Sequence, residues 1–121
     1  MKLAFCLTEN AQDALLDRRF GRSGYFGIFD TESGGFKGID NLAKNESGGA
    51  GAMAVQLLVD SGIDALIAPE VGPQALDALQ QLGIDAYRQG ACGTIAAAFE
   101  AWNCGSLEKI EKPTVKGLHR A

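Results

Sequence analysis

From Ala52 onward the chain alternates between two hydrophobic periods, and this alternation limits the possible folds more than any other feature. Ala54, Leu57 and Leu58 recur at i, i+3 and i+4, with Val55 and Val59 beside them. That period predicts an amphipathic helix facing a sheet. Gly62 stands where a C-terminal glycine cap belongs. Residues 64–68 then form a short apolar run of strand type. Pro73 opens a second helix at a favoured first-turn position, with Leu76, Leu79 and Leu82 as its apolar stripe and Gly83 at its end. Residues 84–88 read as another short strand. Thr94 is placed as the N-cap of a third helix carrying Ile95, Ala98, Phe99 and Trp102, which Gly105 closes. Strands separated by helices of this length pair in parallel through right-handed crossovers.

The first half reads differently. Lys2–Leu7 is an apolar run compatible with a buried strand. Tyr25–Asp30 and Phe36–Asp40 flank a Ser33-Gly34-Gly35 turn and read as a β-hairpin. Between Leu7 and Tyr25 lies a long polar loop with one helical turn expected at residues 14–17. Long loops in compact domains are often functional. The order β-β-β-α-β-α-β-α gives an α/β domain: a five-stranded mixed sheet and three helices in three layers, an arrangement resembling ribonuclease H. Residues 1–110 are expected to form the domain and 111–121 a flexible tail, the charged composition from residue 108 onward already reading as mobile.

Several function classes are disfavoured at this point. The net charge of −4 argues against a nucleic-acid binder and leaves no polybasic membrane surface. No apolar run approaches the ~20 residues that span a bilayer, and residues 1–7 read as a strand rather than a signal peptide. Cys6, Cys92 and Cys104 are odd in number, widely spaced and form no C-x-x-C. Zinc ribbons, thioredoxin motifs and standard iron–sulfur runs are therefore unsupported, and three reduced thiols in a cytoplasmic monomer are expected.

Four stretches together resemble the dinitrogenase iron–molybdenum cofactor biosynthesis family. They are Arg19-Phe20-Gly21-Arg22 followed by Tyr25-Phe26; Ser47-Gly48-Gly49-Ala50-Gly51 opening a helix; Gly72-Pro73 with Ala75; and Gly93-Thr94 leading to Phe99 and then Gly105-Ser106-Leu107-Glu108. Each is weak alone, but their order and spacing over residues 2–110 are specific. The resemblance implies a ribonuclease H-like domain that is not an enzyme. It would carry or insert an iron–molybdenum cofactor precursor and exchange it with a cluster donor or acceptor protein. Residues 112–119 are similar to tails in the orange-protein branch, which implies a molybdenum–copper sulfide cluster as the alternative cargo.

The residues themselves support an anion site. In open α/β sheets ligands settle beyond the carboxyl ends of the parallel strands. Loops 8–24, 45–51, 69–73 and 90–94 should meet there, three of them running into helix N-termini with free N–H groups and partial positive charge. Ser47, Gly48, Gly49, Gly51, Gly72, Gly93 and Thr94 are the candidate backbone cradle, and Arg19 and Arg22 the candidate cations. The alternative for Arg22 is a loop anchor, bonding backbone carbonyls or a carboxylate such as Asp13 or Asp17. Phe20 is expected to plug the core, Met53 and Trp102 to lie in it, and Cys6 to be a small buried hydrophobe. Cys92, before a helix, is a candidate thiolate ligand for copper(I), and the lone His119 a second candidate metal ligand. A nuclease needs clustered carboxylates, which Lys2–Leu7 does not offer. A thiol redox protein would need a resolving cysteine near Cys92. The serious rival is a regulatory or partner-binding module whose pocket takes another anion.

Overall fold

A computed structural model describes residues 1–45 and 49–113. Five strands, β1 (Lys2–Leu7), β2 (Tyr25–Asp30), β3 (Phe36–Asp40), β4 (Ala65–Ala68) and β5 (Asp85–Arg88), form one sheet in the order β3-β2-β1-β4-β5. The β1–β2 and β2–β3 pairs are antiparallel, with Leu7 opposite Tyr25 and Tyr25 opposite Asp40. The β1–β4 and β4–β5 pairs are parallel. Three helices follow the second-half alternation: α1 (Ala50–Asp60), α2 (Pro73–Gln81) and α3 (Ile95–Asn103).

The strand period of two divides the core. On one face Ala4, Cys6, Phe26, Ile28, Leu66 and Ala68 pack against Ala54, Val55 and Leu58 of α1 and Ala75, Leu76 and Leu79 of α2. On the other, Leu3, Phe5, Leu7 and Ile67 pack against Ile95 and Ala98 of α3 and against Ala14 and Leu16 of the β1–β2 loop. These are the three layers expected for the ribonuclease H-like arrangement. β1, central and fully covered from Leu3 to Leu7, is apolar throughout because neither of its faces meets water.

The structure departs from the sequence reading in six places. No helical turn forms at residues 14–17. Leu16 bridges Leu7 and Leu15 bridges Thr94, so this segment continues the sheet where the β1–β4 pairing stops at Phe5–Ile67. Helix α1 starts at Ala50 rather than Ala52 and so includes Gly51. Leu82 is 53% exposed just past α2, and Met53 is 43% exposed in the first turn of α1. Trp102 is only half-buried against the α3 core. Residues 108–110 are not tail: Arg88 N donates to Glu108 O, Ile110 N to Ala86 O, and Ile110 is buried. They cover the open edge of β5, which would otherwise present unpaired backbone groups. Of the expected tail, residues 114–121 lie outside the described residues.

This last contact gives a test. Ile110→Ala should lower stability by about 2–4 kcal/mol in urea unfolding, the cost of emptying a core position; a change near zero would return residues 108–110 to a loose tail.

Candidate functional site

Because β3 runs parallel to β1 across two antiparallel steps, the loops after β1, β3, β4 and β5 all leave the same end of the sheet. The structure ties three of them together through polar side chains. Asn41 Nδ2 donates to Gly21 O at 2.9 Å and Ser23 O at 2.8 Å. Gln89 Nε2 donates to Asp17 O at 3.0 Å, while its backbone N–H bonds Ala68 O. Arg18 Nη1 donates to Gly90 O, and Leu16 N to Gly93 O. Ser23 Oγ donates to Tyr25 O at 2.9 Å. Asp17, Ser23, Asn41 and Gln89 are the four buried polar or charged side chains among the described residues, and all belong to this end.

The Arg19-Phe20-Gly21-Arg22 segment acquires a physical explanation. Phe20 is buried, with its ring 5.8 Å from that of Phe26. Gly21 lies against the start of α1, where a Cβ would stand 2.9 Å from Gly51 N and 3.1 Å from Ala50 C. Arg22 Nη1 donates to Lys44 O at 2.7 Å, the carbonyl-anchoring alternative weighed for it. The carboxylate of Asp17 is instead engaged by Arg19, whose N, Nε and Nη2 donate to it, and by Gly24 N. Burial opposes the charged form of Asp17, but these hydrogen bonds and the Arg19 charge together hold its carboxyl below the ordinary value. Arg19 is thereby committed to a local partner, although its side chain is exposed. Cys6 is buried, and its burial, reinforced by the negative Asp17, pushes the thiol far up and keeps it protonated.

The helix N-termini are not equivalent. Gly49, at φ 73°, caps α1 with no side-chain cap bond, and the first intrahelical donor is Met53 N to Gly49 O. Gly72 caps α2, also without a side-chain bond, and Pro73 follows it. A Cβ on Gly51 would come within 3.3 Å of the Ala75 Cβ, so the first turns of α1 and α2 touch. Neither helix has an acidic residue in its first turn, where Asp and Glu are ordinarily favoured. Thr94 caps α3 itself, its Oγ1 accepting from Ala97 N. Gly49, Gly51, Gly72 and Arg22 thus share the α1–α2 side. Cys92, which packs half-buried against the α3 core, and Gly93 and Thr94 lie on the other. Ser47, Gly48 and His119 lie outside the described residues. Among the described residues no three His, Cys, Asp or Glu side chains group as metal ligands.

A well-formed surface cavity lies elsewhere. A groove of about 750 Å³ runs between α3 and the β1–β2 loop, over Phe29. Its charged lining is Asp13 and Glu100, which suits an anion poorly, so the physical case for an anion rests with the α1–α2 side. Sequence reasoning did not single out Asn41 or Gln89 for the site. Their partners are 18 to 20 and 72 positions away, and no local pattern announces such bonds.

Residues 1–105 match the family described as dinitrogenase iron-molybdenum cofactor. An uncharacterized protein of Methanocaldococcus jannaschii is 33% identical over 114 residues, 92% of each chain. The apo form of the orange protein from Desulfovibrio gigas superposes with a TM-score of 0.89 at 30% identity, over 94% of this chain and 96% of that one. A putative NifB protein from Thermotoga superposes with a TM-score of 0.81 at 34% identity, over 96% and 98%.

Two substitutions check the loop frame. Asp17→Asn should cost about 1–3 kcal/mol at neutral pH, the usual cost of disturbing a buried hydrogen-bonded acceptor. A carboxyl held low in the folded state stabilises above its unfolded pKa of about 3.9, and that contribution is lost as pH falls through the folded value. The gap between wild type and Asp17→Asn in urea unfolding should therefore narrow below about pH 4. Gly21→Ala, which presses a methyl onto helix backbone, should cost about 1–3 kcal/mol; an unchanged midpoint would mean that the loop does not sit on α1.

Proposed function

The chain belongs to the dinitrogenase iron-molybdenum cofactor family, and from that premise we propose that it is an accessory carrier of an anionic metal–sulfur cluster, seated where α1 and α2 begin. The observation that carries this reading is the pair of touching N-termini with no side-chain cap bond and no first-turn acid. Each such terminus offers N–H donors that precede the first intrahelical bond. Together with the helix dipoles they amount to about half a positive charge apiece. A thiometallate is a bulky polyanion, and two such ends side by side suit it better than one. Glycine at 49, 51 and 72 lets the cluster approach the backbone closely. Arg22 stands on the same rim as a permanently charged donor.

The cargo is either an iron–molybdenum cofactor precursor, as the family's description suggests, or a molybdenum–copper sulfide cluster of the orange-protein type. Binding is electrostatic and through hydrogen bonds. Arg19, neutralised by Asp17, positions the loop rather than the cluster. Cys92, Gly93 and Thr94 are assigned to the α3 side and not to the cradle. The cluster would pass to and from a donor or acceptor protein. No helix among the described residues is long and apolar enough to cross a membrane.

The test is a titration of the purified protein with tetrathiomolybdate and copper(I), desalting, and visible absorption of what remains. A stoichiometric charge-transfer band should be retained. Ala52→Glu is the informative variant, because Ala52 is exposed in the first turn of α1. A carboxylate there favours the helix, yet it should weaken cluster retention by about tenfold or more through like-charge repulsion. Arg22→Ala should also weaken retention with the fold kept. Unaltered retention in Ala52→Glu would remove α1 from the site. A colourless protein that binds inorganic phosphate instead would make this the pocket of a regulatory module.

A further inference from the structure

We infer that the groove between α3 and the β1–β2 loop is a docking site for a short extended peptide segment of a partner protein, one carrying an apolar side chain flanked by Lys or Arg. The groove exists because the loop is held away from the helix. Asn10 rests on β3 at Gly38, which has no side chain in the way, while α3 covers β1 and β4. Between them the floor is Phe29, whose ring lies 5.1 Å from that of Phe99. Ile95 and Phe99 supply the apolar wall and Asp13 and Glu100 the charged rim. Among the described residues no Lys or Arg lines the groove.

Three observations specify the occupant. First, the shape is elongated: the lining runs from Thr94 to Asn103, along the whole of α3. At 1.5 Å per residue a nine-residue helix is about 14 Å long, the span of about four residues of extended chain. Second, the charge is one-sided. Asp13 and Glu100 are exposed and form no ion pair among the described residues. Both carboxylates therefore remain available to a cationic partner, and both repel an anion. Third, the apolar surface continues past the groove. Leu15, 64% exposed, is bridged to Thr94 at the groove's end. The groove lies on the α3 face, across the sheet from α1 and α2, so it does not depend on what is held there.

The probe is acetyl-Lys-Leu-Phe-Arg-amide, added to the colourless protein and followed by backbone amide shifts. Shifts should concentrate at Asp13, Leu15, Ala96, Phe99 and Glu100, saturate with one site, and weaken with salt. The double variant Asp13→Lys with Glu100→Lys changes two exposed side chains and should leave the remaining spectrum in place. It should reduce affinity about tenfold, because each contact turns from attraction to repulsion, and should improve binding of the acidic control acetyl-Glu-Leu-Phe-Glu-amide. Equal binding of both peptides to the wild type, or shifts confined to the α1–α2 end, would overturn the inference. Arginine amide alone reproducing the shifts at the same affinity would overturn it too, by making the groove a site for small cations. Pre-loading with tetrathiomolybdate and copper(I) should leave the peptide affinity unchanged, and failure of that loading leaves the peptide result standing.

Discussion

A loop that crosses the end of a sheet carries backbone N–H and C=O groups that neither a helix nor a strand satisfies, and each one buried without a partner costs free energy. The crossing from Leu7 to Tyr25 meets this constraint with buried polar side chains. Asp17 gathers Arg19 N and Gly24 N, Asn41 bonds Gly21 O and Ser23 O, and Gln89 bonds Asp17 O. Leu16 and Asp17 add backbone bonds to Gly93 and Cys6. Everything at the candidate site is hung on this frame. If the crossing came loose, Phe20 would leave its place on Phe26, Gly21 would leave α1, and the groove over Phe29 would lose one wall.

The frame also governs the electrostatics. The sequence is acidic overall, yet two carboxylates at this end are used locally: Asp17 by Arg19, and Asp40 by Lys44 at 2.7 Å. Local pairing of this kind contributes little to stability at an exposed surface. The first turns of α1 and α2 themselves carry no acid. The third helix follows the opposite rule, with Thr94 capping it internally and Glu100 and Asp13 beside it. The acidic groove thus lies on the opposite face of the sheet from the acid-free first turns of α1 and α2.

The elements were legible in the sequence because their signals are local. Hydrophobic period, Pro73 at a helix start and Thr94 at a cap each act within a turn or two. Gly62, Gly83 and Gly105 all adopt the positive φ that a helix end requires. Where the reading failed, the deciding contact was distant. Residues 15–17 pair with β1 and with the loop before α3, so a polar segment that looked like a helical turn became an edge of the sheet. Residues 108–110 look like solvated tail until β5 offers them an unpaired edge. Leu82 fits the stripe of α2 by spacing, but it falls after the last turn and faces water. The site was half legible for the same reason. Glycine at 49, 51 and 72 follows from the helix starts, whereas the commitment of Arg19 to Asp17 and of Arg22 to Lys44 O depends on how the loops fold back.

A carrier must release its cargo, and this constrains what can hold it. A thiolate ligand would form a bond that must be broken at each transfer. Here Cys6, within β1, is buried and kept protonated beneath Asp17, and Cys92 packs on the α3 side. Backbone N–H groups at a helix start are a different kind of ligand, because water replaces the anion there without unfolding the helix. The cradle proposed above would be preorganised by the Gly51–Ala75 contact and the Gly21–α1 contact, both internal to the fold. Loading and unloading would then leave the frame unchanged, and specificity for a partner would have to be read from a surface other than the cradle. The acidic, apolar groove on the opposite face has the chemistry for that task, because carboxylates that attract a cationic segment repel an anionic cargo.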